Sequence, residues 1–382
     1  MSASLATDMV QISRLALGGE RLVLGALLPE SGDGSFDDQM ASLCAAARAT
    51  LFTEGLAADD MVHLRIFLSD AGGQAMRARA LIARAGLDRG ALTLIGQPPA
   101  QQGHHCALQM IARRGGATGR PDGSATIRRW SMGGSLFIWI AGTVASAAVA
   151  GTPRTMTAEQ EAAAMYDKAA RDLAREGLTF RQVIRTWISL RDIDRDYASL
   201  NRARRAFYQA HGVAPPPAST GIGGTPERDR RFSLDVLALA MPGSHPAAGA
   251  MHAHSMNEAP SYGADFSRGT RVALKDRALL FISGTASIDP HGEVAHPGDI
   301  AAQARCMLDR VTDLLAQQGA RPADLAQAVT YIKDRSFLGP LREALAEKGF
   351  PAGIPHTVCV ADVCRPGWLC EMEALASVPL AS

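Results

Sequence analysis

The sequence repeats itself three times, and this constrains the fold more than any local signal does. Each copy opens on an apolar, strand-like run: Arg21-Leu22-Val23-Leu24-Gly25, Phe137-Ile138-Trp139-Ile140-Ala141-Gly142 and Leu280-Phe281-Ile282-Ser283-Gly284. Segments with apolar residues at helical spacing follow, from Gln39, Gln160 and Gln303, shown most plainly by Met307, Val311, Leu314 and Leu315. They end at Gly55, Gly177 and Gly319, each placed where a helix takes a left-handed residue just past its end. A β-rich run then closes on Asp70, Asp192 and Asp334, 15 residues after the glycine in all three copies. A second helix comes next, clearest over 197–211 and 338–348, and each copy finishes with a strand, over 106–112, 232–240 and 369–376.

Each unit is therefore expected to be a small mixed sheet with two helices on one face, an α/β (α+β) arrangement. Segments 115–124 and 242–257 are rich in Gly, Pro, Ser and Ala and read as linkers, which divides the chain into units at 1–125, 126–255 and 256–382. Helices on one side leave the other face of each sheet needing cover. Three covalently tied copies satisfy that need by packing their sheets around a common centre, so the chain is expected to be a monomer built as its own trimer.

Composition narrows the function. With 39 basic against 38 acidic residues the net charge is +1, which supplies no long-range field for nucleic acid or an anionic membrane. An anionic ligand must then be caught by local arginines. The longest apolar stretch, 136–151, is short for a membrane span and is broken by Gly142, Thr143 and Ser146. Residues 1–15 lack the basic and apolar regions of a signal peptide, and the six cysteines show no CxxC pair, which together point to the cytoplasm. His104-His105 and the linker residues His245, His252 and His254 lack carboxylate or thiol partners at ligand spacing, so no metal is expected. Gly221-Ile222-Gly223-Gly224 follows a proline run and opens no helix, so it is no dinucleotide fingerprint.

The order of elements, with Phe281-Ile282-Ser283-Gly284 at the front of a unit and Glu371-Met372-Glu373-Ala374 at its end, resembles the reactive-intermediate deaminase (Rid, or YjgF) superfamily. That resemblance implies trimers with active sites at subunit interfaces. Its deaminases carry an arginine shortly after a proline, fifteen residues before the first glutamate; here Pro355 is followed by His356, which counts against imine hydrolysis.

A narrower resemblance, covering most of the chain, is to the chorismatases. It rests on Arg185-Thr186-Trp187, on the helix over 197–207 with Asn201 and Arg204, and on the run from Pro215 to Gly224 containing Ser219-Thr220-Gly221-Ile222-Gly223. Tyr262-Gly263 leading to Phe266-Ser267-Arg268-Gly269, Ser283-Gly284-Thr285-Ala286-Ser287-Ile288, and Cys364-Arg365-Pro366 before Glu371 complete it. Each motif is weak alone; their order on a triple Rid-like chain is specific.

The resemblance implies release of pyruvate from chorismate with no cofactor. Chorismate is a dianion carrying an enol ether, so cleavage needs a proton delivered to the enolpyruvyl methylene carbon and cationic clamps for two carboxylates. Glu371, flanked by Leu369, Cys370 and Met372, falls on the family's catalytic glutamate, and burial there would keep it neutral and able to donate. An arbitrary Glu-x-Glu more often lines a solvated face. Here, however, the equivalent positions are Ala107 and Asp235, so only the third unit keeps the glutamate. Arg268 and Arg342, with Arg185 third, are the candidate clamps, beside Tyr262; backbone N–H groups around Thr220, Gly221 and Gly223 could approach a carboxylate, although a plain turn explains them too.

Gly269 and Cys364 bear on the product. By resemblance, alanine at both positions goes with hydrolysis to a dihydroxycyclohexadiene carboxylate, and glycine with cysteine goes with 3-hydroxybenzoate, formed when a ring oxygen displaces pyruvate through an epoxide-like intermediate. This chain has the second pair. Cys364 as a small buried hydrophobe is the bland alternative. A chorismatase giving 4-hydroxybenzoate or a mixture of isomers, a Rid-type deaminase and a non-catalytic small-molecule binder are the rival functions, and Trp368 is expected to shape the pocket.

Overall fold

The computed structural model describes residues 9–115, 121–122, 125–145, 156–228, 230–240, 248–259 and 263–380. Three six-stranded mixed sheets, each with a pair of helices, follow one another along the chain. The first unit contains β1 (Val10–Leu17), β2 (Glu20–Leu27), α1 (Phe36–Thr53), β3 (Met61–Leu68), α2 (Ala71–Arg84), β4 (Ala91–Gly96) and β5 (Cys106–Arg113). The second contains β6 (Pro121–Asp122), β7 (Ala125–Met132), β8 (Ser135–Thr143), α3 (Ala158–Arg175), β9 (Val183–Leu190), α4 (Ile193–His211), β10 (Ala218–Gly223), β11 (Thr225–Pro226) and β12 (Phe232–Ala240). The third contains β13 (Ala248–Met251), β14 (Gly269–Ala273), β15 (Arg277–Ala286), α5 (Ile300–Ala316), β16 (Leu325–Ile332), α6 (Leu338–Glu347), β17 (His356–Val360) and β18 (Cys370–Pro379). The strand β11 leaves its own unit and completes the first sheet.

The repeat is exact in its topology. In each unit the closing strand lies between the opening strand and the one after the first helix, antiparallel to both, and one parallel pair spans the second helix: β3/β4, β9/β10 and β16/β17. Gly55, Gly177 and Gly319 have φ of 65°, 73° and 71°, so each occupies the left-handed position beyond its helix. The first helices begin before the expected glutamines because caps set their starts. Ser35 and Thr157 form capping boxes with Asp38 and Gln160, and Asp299 accepts from the Ala302 N–H. Parts of the expected linkers are also ordered: β6 pairs with β7, and β13 pairs with β14 ahead of residue 255, so the third sheet begins at Ala248.

Each helix pair covers the outer face of its sheet. The inner faces meet in a shared core with Leu17, Leu22 and Leu24 of the first unit, Trp130, Phe137 and Trp139 of the second, and Val272, Leu279 and Phe281 of the third. Burying such side chains stabilises by about 1.5–3 kcal/mol each, so every unit depends on the other two for its inner face. Backbone bonds close the ring: β11 pairs with β4, Ser267 N–H donates to Pro217 O, and Val360 N–H donates to Pro98 O at 2.7 Å. No described helix is long and apolar enough to cross a membrane, a statement that does not extend to strands.

Candidate active site

A cavity of about 370 Å³ lies between the second and third units. Its volume is in the range of small-molecule sites, about 300–1,000 Å³. The second unit contributes one face of α4, with Tyr197, Asn201 and Arg204, and Gly221 of β10. The third contributes Phe266 and Arg268 ahead of β14, Gly284 and Ala286 of β15, the loop bearing Cys364, Arg365 and Trp368, and Glu371 of β18.

Glu371 stands opposite Ala286 on one side and Tyr331 on the other. The β15/β18 register slips between Ile282 and Thr285, a bulge that brings the Gly284 backbone under the Glu371 carboxyl. A Cβ at Gly284 would overlap Glu371 Oε1 outright and lie 2.9 Å from Cδ, so only glycine fits beneath the acid. Glu371 is 3% exposed. Burial, reinforced by the Glu373 charge and only partly offset by Arg185 and Arg268, pushes its pKa up to about 8. This shift favours the neutral carboxyl at pH 7.

Two residues along the strand, Glu373 has the opposite character. Arg65 Nη1 donates to it at 2.9 Å, Arg185 Nη2 at 2.8 Å and Trp187 Nε1 at 3.1 Å. These arginines hold it below the ordinary carboxylate range in spite of its burial. The pair separates into a proton-bearing acid and a fixed anion, the division that acid catalysis requires.

The cavity wall is cationic. Arg268 donates from Nε (2.9 Å) and Nη2 (2.6 Å) to Asn257 O and lies 5.6 Å from the Phe266 ring centroid. Arg204 is 1% exposed, donates to Asn201 Oδ1 at 2.6 Å and lies 5.8 Å from the same Phe266 ring centroid. Among the described residues its Nε has no hydrogen-bond partner. Arg365 stacks on Trp368 at 4.9 Å, and the Trp368 indole donates to Ser287 O at 2.8 Å, which fixes the ring as a wall. Burial and the neighbouring Glu371 push the Cys364 pKa far up, so the group in the cavity is a thiol and not a thiolate.

The structure brings together four of the residues expected from sequence: Glu371, Cys364, Arg268 and Gly221. Others lie elsewhere. Arg342 is on α6, its charge acting on His356 rather than in the cavity. Arg185 is 2% exposed behind Glu371, with Nη2 engaged by Thr220 Oγ1 and Glu373. The Thr220 hydroxyl accepts from Arg185 and from the Gly284 N–H at 3.0 Å, and the Gly223 N–H donates to Asp362 O at 2.8 Å, so neither reaches the cavity. Gly269 lies outside the lining, against Met251 and Phe281 O, where a Cβ would approach to 2.8 and 2.9 Å. Tyr262 lies outside the described residues. His356 bonds Thr330 Oγ1 at 2.8 Å on the β17 side of the third sheet, away from Glu371. Two arginines that line the cavity, Arg204 and Arg365, were not among the clamps expected from sequence. Tyr197, Asn201 and Arg204 share a helix face, a spacing that could have revealed them. Among the described residues no group of three or more His, Cys, Asp or Glu is arranged to hold a metal ion.

Comparison with known proteins places the fold. Residues 256–378 match the family described as Endoribonuclease L-PSP. Over 107 residues, 28% of this chain and 84% of the relative, the sequence is 28% identical to 3-aminoacrylate deaminase RutC of Acinetobacter baylyi. A solved chorismatase superposes with a TM-score of 0.63 over 96% of this chain and 99% of that one, at 16% identity. Rv2704 of Mycobacterium tuberculosis, from the YjgF/YER057c/UK114 family, matches 34% of the chain and 100% of its own at 26% identity, with a TM-score of 0.28. The third unit thus matches the Endoribonuclease L-PSP family, and the whole chain, three units of one topology in tandem, has the fold of a solved chorismatase.

Proposed function

We propose that this chain is a chorismatase, releasing pyruvate from chorismate in the cavity between its second and third units. The observation that carries the reading is a buried carboxyl, Glu371, kept neutral at pH 7 and facing a cavity walled by Arg204, Arg268 and Arg365. Protonating an enol ether carbon calls for an acid that is still protonated at working pH, and holding a dianion calls for at least two fixed cations. Arg204 and Arg268 take the two carboxylates, with Trp368 and Phe266 bounding the ring between them. Glu371 gives its proton to the methylene carbon, and the bond between the ring carbon and the ether oxygen then breaks, the oxygen leaving with the side chain as the ketone oxygen of pyruvate and the proton of the attacking ring hydroxyl returning to Glu371. A ring hydroxyl displaces that oxygen through an epoxide-like species, which opens to 3-hydroxybenzoate. Chorismate divides into 3-hydroxybenzoate and pyruvate with no net consumption of water. The Cys364 thiol, protonated beside Glu371, serves as a proton donor to the ring oxygen during aromatisation and not as a nucleophile.

The test is to incubate the pure protein with chorismate, separate the products by chromatography, and run Glu371→Gln beside it. Equimolar pyruvate and 3-hydroxybenzoate, lost in the variant, is the expected result. 4-Hydroxybenzoate or the cyclohexadiene acid would keep the substrate and overturn the part given to Cys364. No pyruvate would overturn the reading as a whole.

A further inference from the structure

Among the described residues the first unit supplies none of the side chains around the cavity, yet one of its residues makes contact with both of the other units. Arg65 is 7% exposed on β3, where its neighbours in sequence are apolar. Its guanidinium donates to Glu373 Oε1 at 2.9 Å and lies 5.3 Å over the Trp187 ring, whose other guanidinium neighbour is Arg185 at 4.9 Å. The contacts run on without a gap. Arg185 Nη2 bridges Glu373 Oε2 and Thr220 Oγ1, and Thr220 Oγ1 accepts the Gly284 N–H at 3.0 Å while its own hydroxyl donates to Glu373. Gly284 is the bulged residue beneath the Glu371 carboxyl. Four links therefore join a side chain of the first unit to the backbone that seats the acid of the third.

Resting on Glu371 as the acid, we propose that Arg65 is a positioning residue for it, acting through Glu373, Arg185 and Thr220. Two effects follow from this geometry. Arg65 fixes the rotamer of Glu373, and with it the bulge at Gly284, because a buried carboxylate with two guanidinium partners has one well-defined pose. Arg65 also balances charge. Glu371 is faced by Glu373 on its own strand, Tyr331 on β16, Arg185 on β9, Tyr197 and Arg204 on α4, Arg268 ahead of β14, and Cys364 and Arg365 in the loop before β18. Glu373 raises the Glu371 pKa, while Arg185 and Arg268 lower it. Removing Arg65 leaves the Glu373 charge less compensated and drives the Glu371 pKa further up; removing the Glu373 charge drives it down.

This opposition gives a test that a merely structural role would not pass. Full-length protein labelled with carboxyl-¹³C glutamate is titrated by NMR, with Glu371→Gln identifying the Glu371 signal, for Arg65→Met, Arg65→Lys and Glu373→Gln. The expected result is an upward move of about one pH unit in Arg65→Met, largely reversed in Arg65→Lys, and a downward move in Glu373→Gln. In turnover, the alkaline limb of kcat follows the same directions, and Arg65→Met loses about ten- to a hundredfold in kcat with KM little changed. If Glu373→Gln does not fold, the two Arg65 variants still decide. An unmoved Glu371 titration in folded Arg65→Met overturns the inference. Because the titration needs no substrate, moved titrations in a protein that releases no pyruvate would leave the positioning role standing and remove only the proposed activity.

Discussion

Replacing Glu371 by glutamine should abolish turnover and at the same time stabilise the protein, by an amount set by pH. The side chain is 3% exposed, and its pKa stands at about 8 against an ordinary 4.5. Below about pH 4.5 the carboxyl is neutral both folded and unfolded, and its ionisation costs nothing. Between 4.5 and 8 the unfolded chain releases this proton while the folded chain keeps it, so the unfolded state binds fewer protons and stability falls by about 1.4 kcal/mol per pH unit. The penalty reaches about 3 kcal/mol at pH 7 and about 5 kcal/mol above pH 8. Glutamine has nearly the same shape and never ionises, so the penalty disappears with it. Urea unfolding of the two proteins at about pH 5, 6.5 and 8 checks this: the midpoints should nearly coincide at the lowest pH and separate steadily above it, the variant being the more resistant. A difference independent of pH, or a variant weaker near pH 8, would refute the reasoning. Either would mean that Glu371 is ionised in the folded protein and held by its arginines.

Four further outcomes follow from the same geometry. Gly284→Ala forces a methyl group into the Glu371 carboxyl and should lower kcat by about a hundredfold or more, at a stability cost of about 1–3 kcal/mol, read by steady-state kinetics and thermal melting. Arg204→Met and Arg268→Met should each raise KM for chorismate by about tenfold or more, the worth of one charge-assisted clamp. Cys364→Ala should keep pyruvate release within about tenfold while shifting the aromatic product towards the cyclohexadiene acid on chromatography. Burial and the Arg342 charge lower the His356 pKa to about 4 from 6.5, so the unfolded state takes up a proton first and stability is lost as pH falls across that interval, by up to about 3 kcal/mol. His356→Gln should flatten this acid limb in melting experiments between about pH 4 and 7.

The fold was legible because repetition reveals backbone requirements even where side chains have diverged. Gly55, Gly177 and Gly319 keep positive φ, and this alone fixes the first helix and following strand of every unit. Helix starts were less visible because they depend on caps such as Ser35 and Asp299, which carry no apolar period. Glu371 stood out because it falls on the catalytic glutamate of the family the chain resembles; the expected contrast with Asp235 was two residues out of register, since strand pairing aligns Glu371 with Ala107 and Ser233, and Asp235 with Glu373. The arginines that line the cavity were harder to find. Arg342 and Arg185 sit near recognisable motifs, but whether an arginine enters a cavity depends on how two units dock, and no local spacing encodes that. Arg185 turns to Glu373 on another unit, and the Gly223 N–H is already taken by Asp362. Arg204 lay inside a quoted helix motif, yet only the docking of α4 against Phe266 makes it a wall of the site.

Covalent linkage explains why the three interfaces could become unlike one another. In a trimer of identical chains any change at one site appears at all three. Here Ser233 takes the position of Glu371 at the junction of the first and second units, and the position of Glu373 is held by the Asp235 carboxylate. That carboxylate accepts the Gly142 N–H at 2.8 Å and the Thr93 hydroxyl, with His63 Nε2 at 3.6 Å, and it is held below the usual carboxylate range. The space beside it is about 10 Å³, room for one water at most. An anion so fully satisfied neither bears a proton nor faces a ligand. At the junction of the third and first units the position of Glu371 is taken by Ala107, fully buried, and Gln109 donates to Ala328 O at 2.9 Å across the interface. At these two junctions the described residues meet the buried polar groups by hydrogen bonds between units, which adds stability, while the third junction keeps a cavity of about 370 Å³ and a carboxyl whose burial weakens the fold at neutral pH. The bonds at the first two junctions offset the cost at the third, so the one site with a buried acid depends on the other two units to hold it.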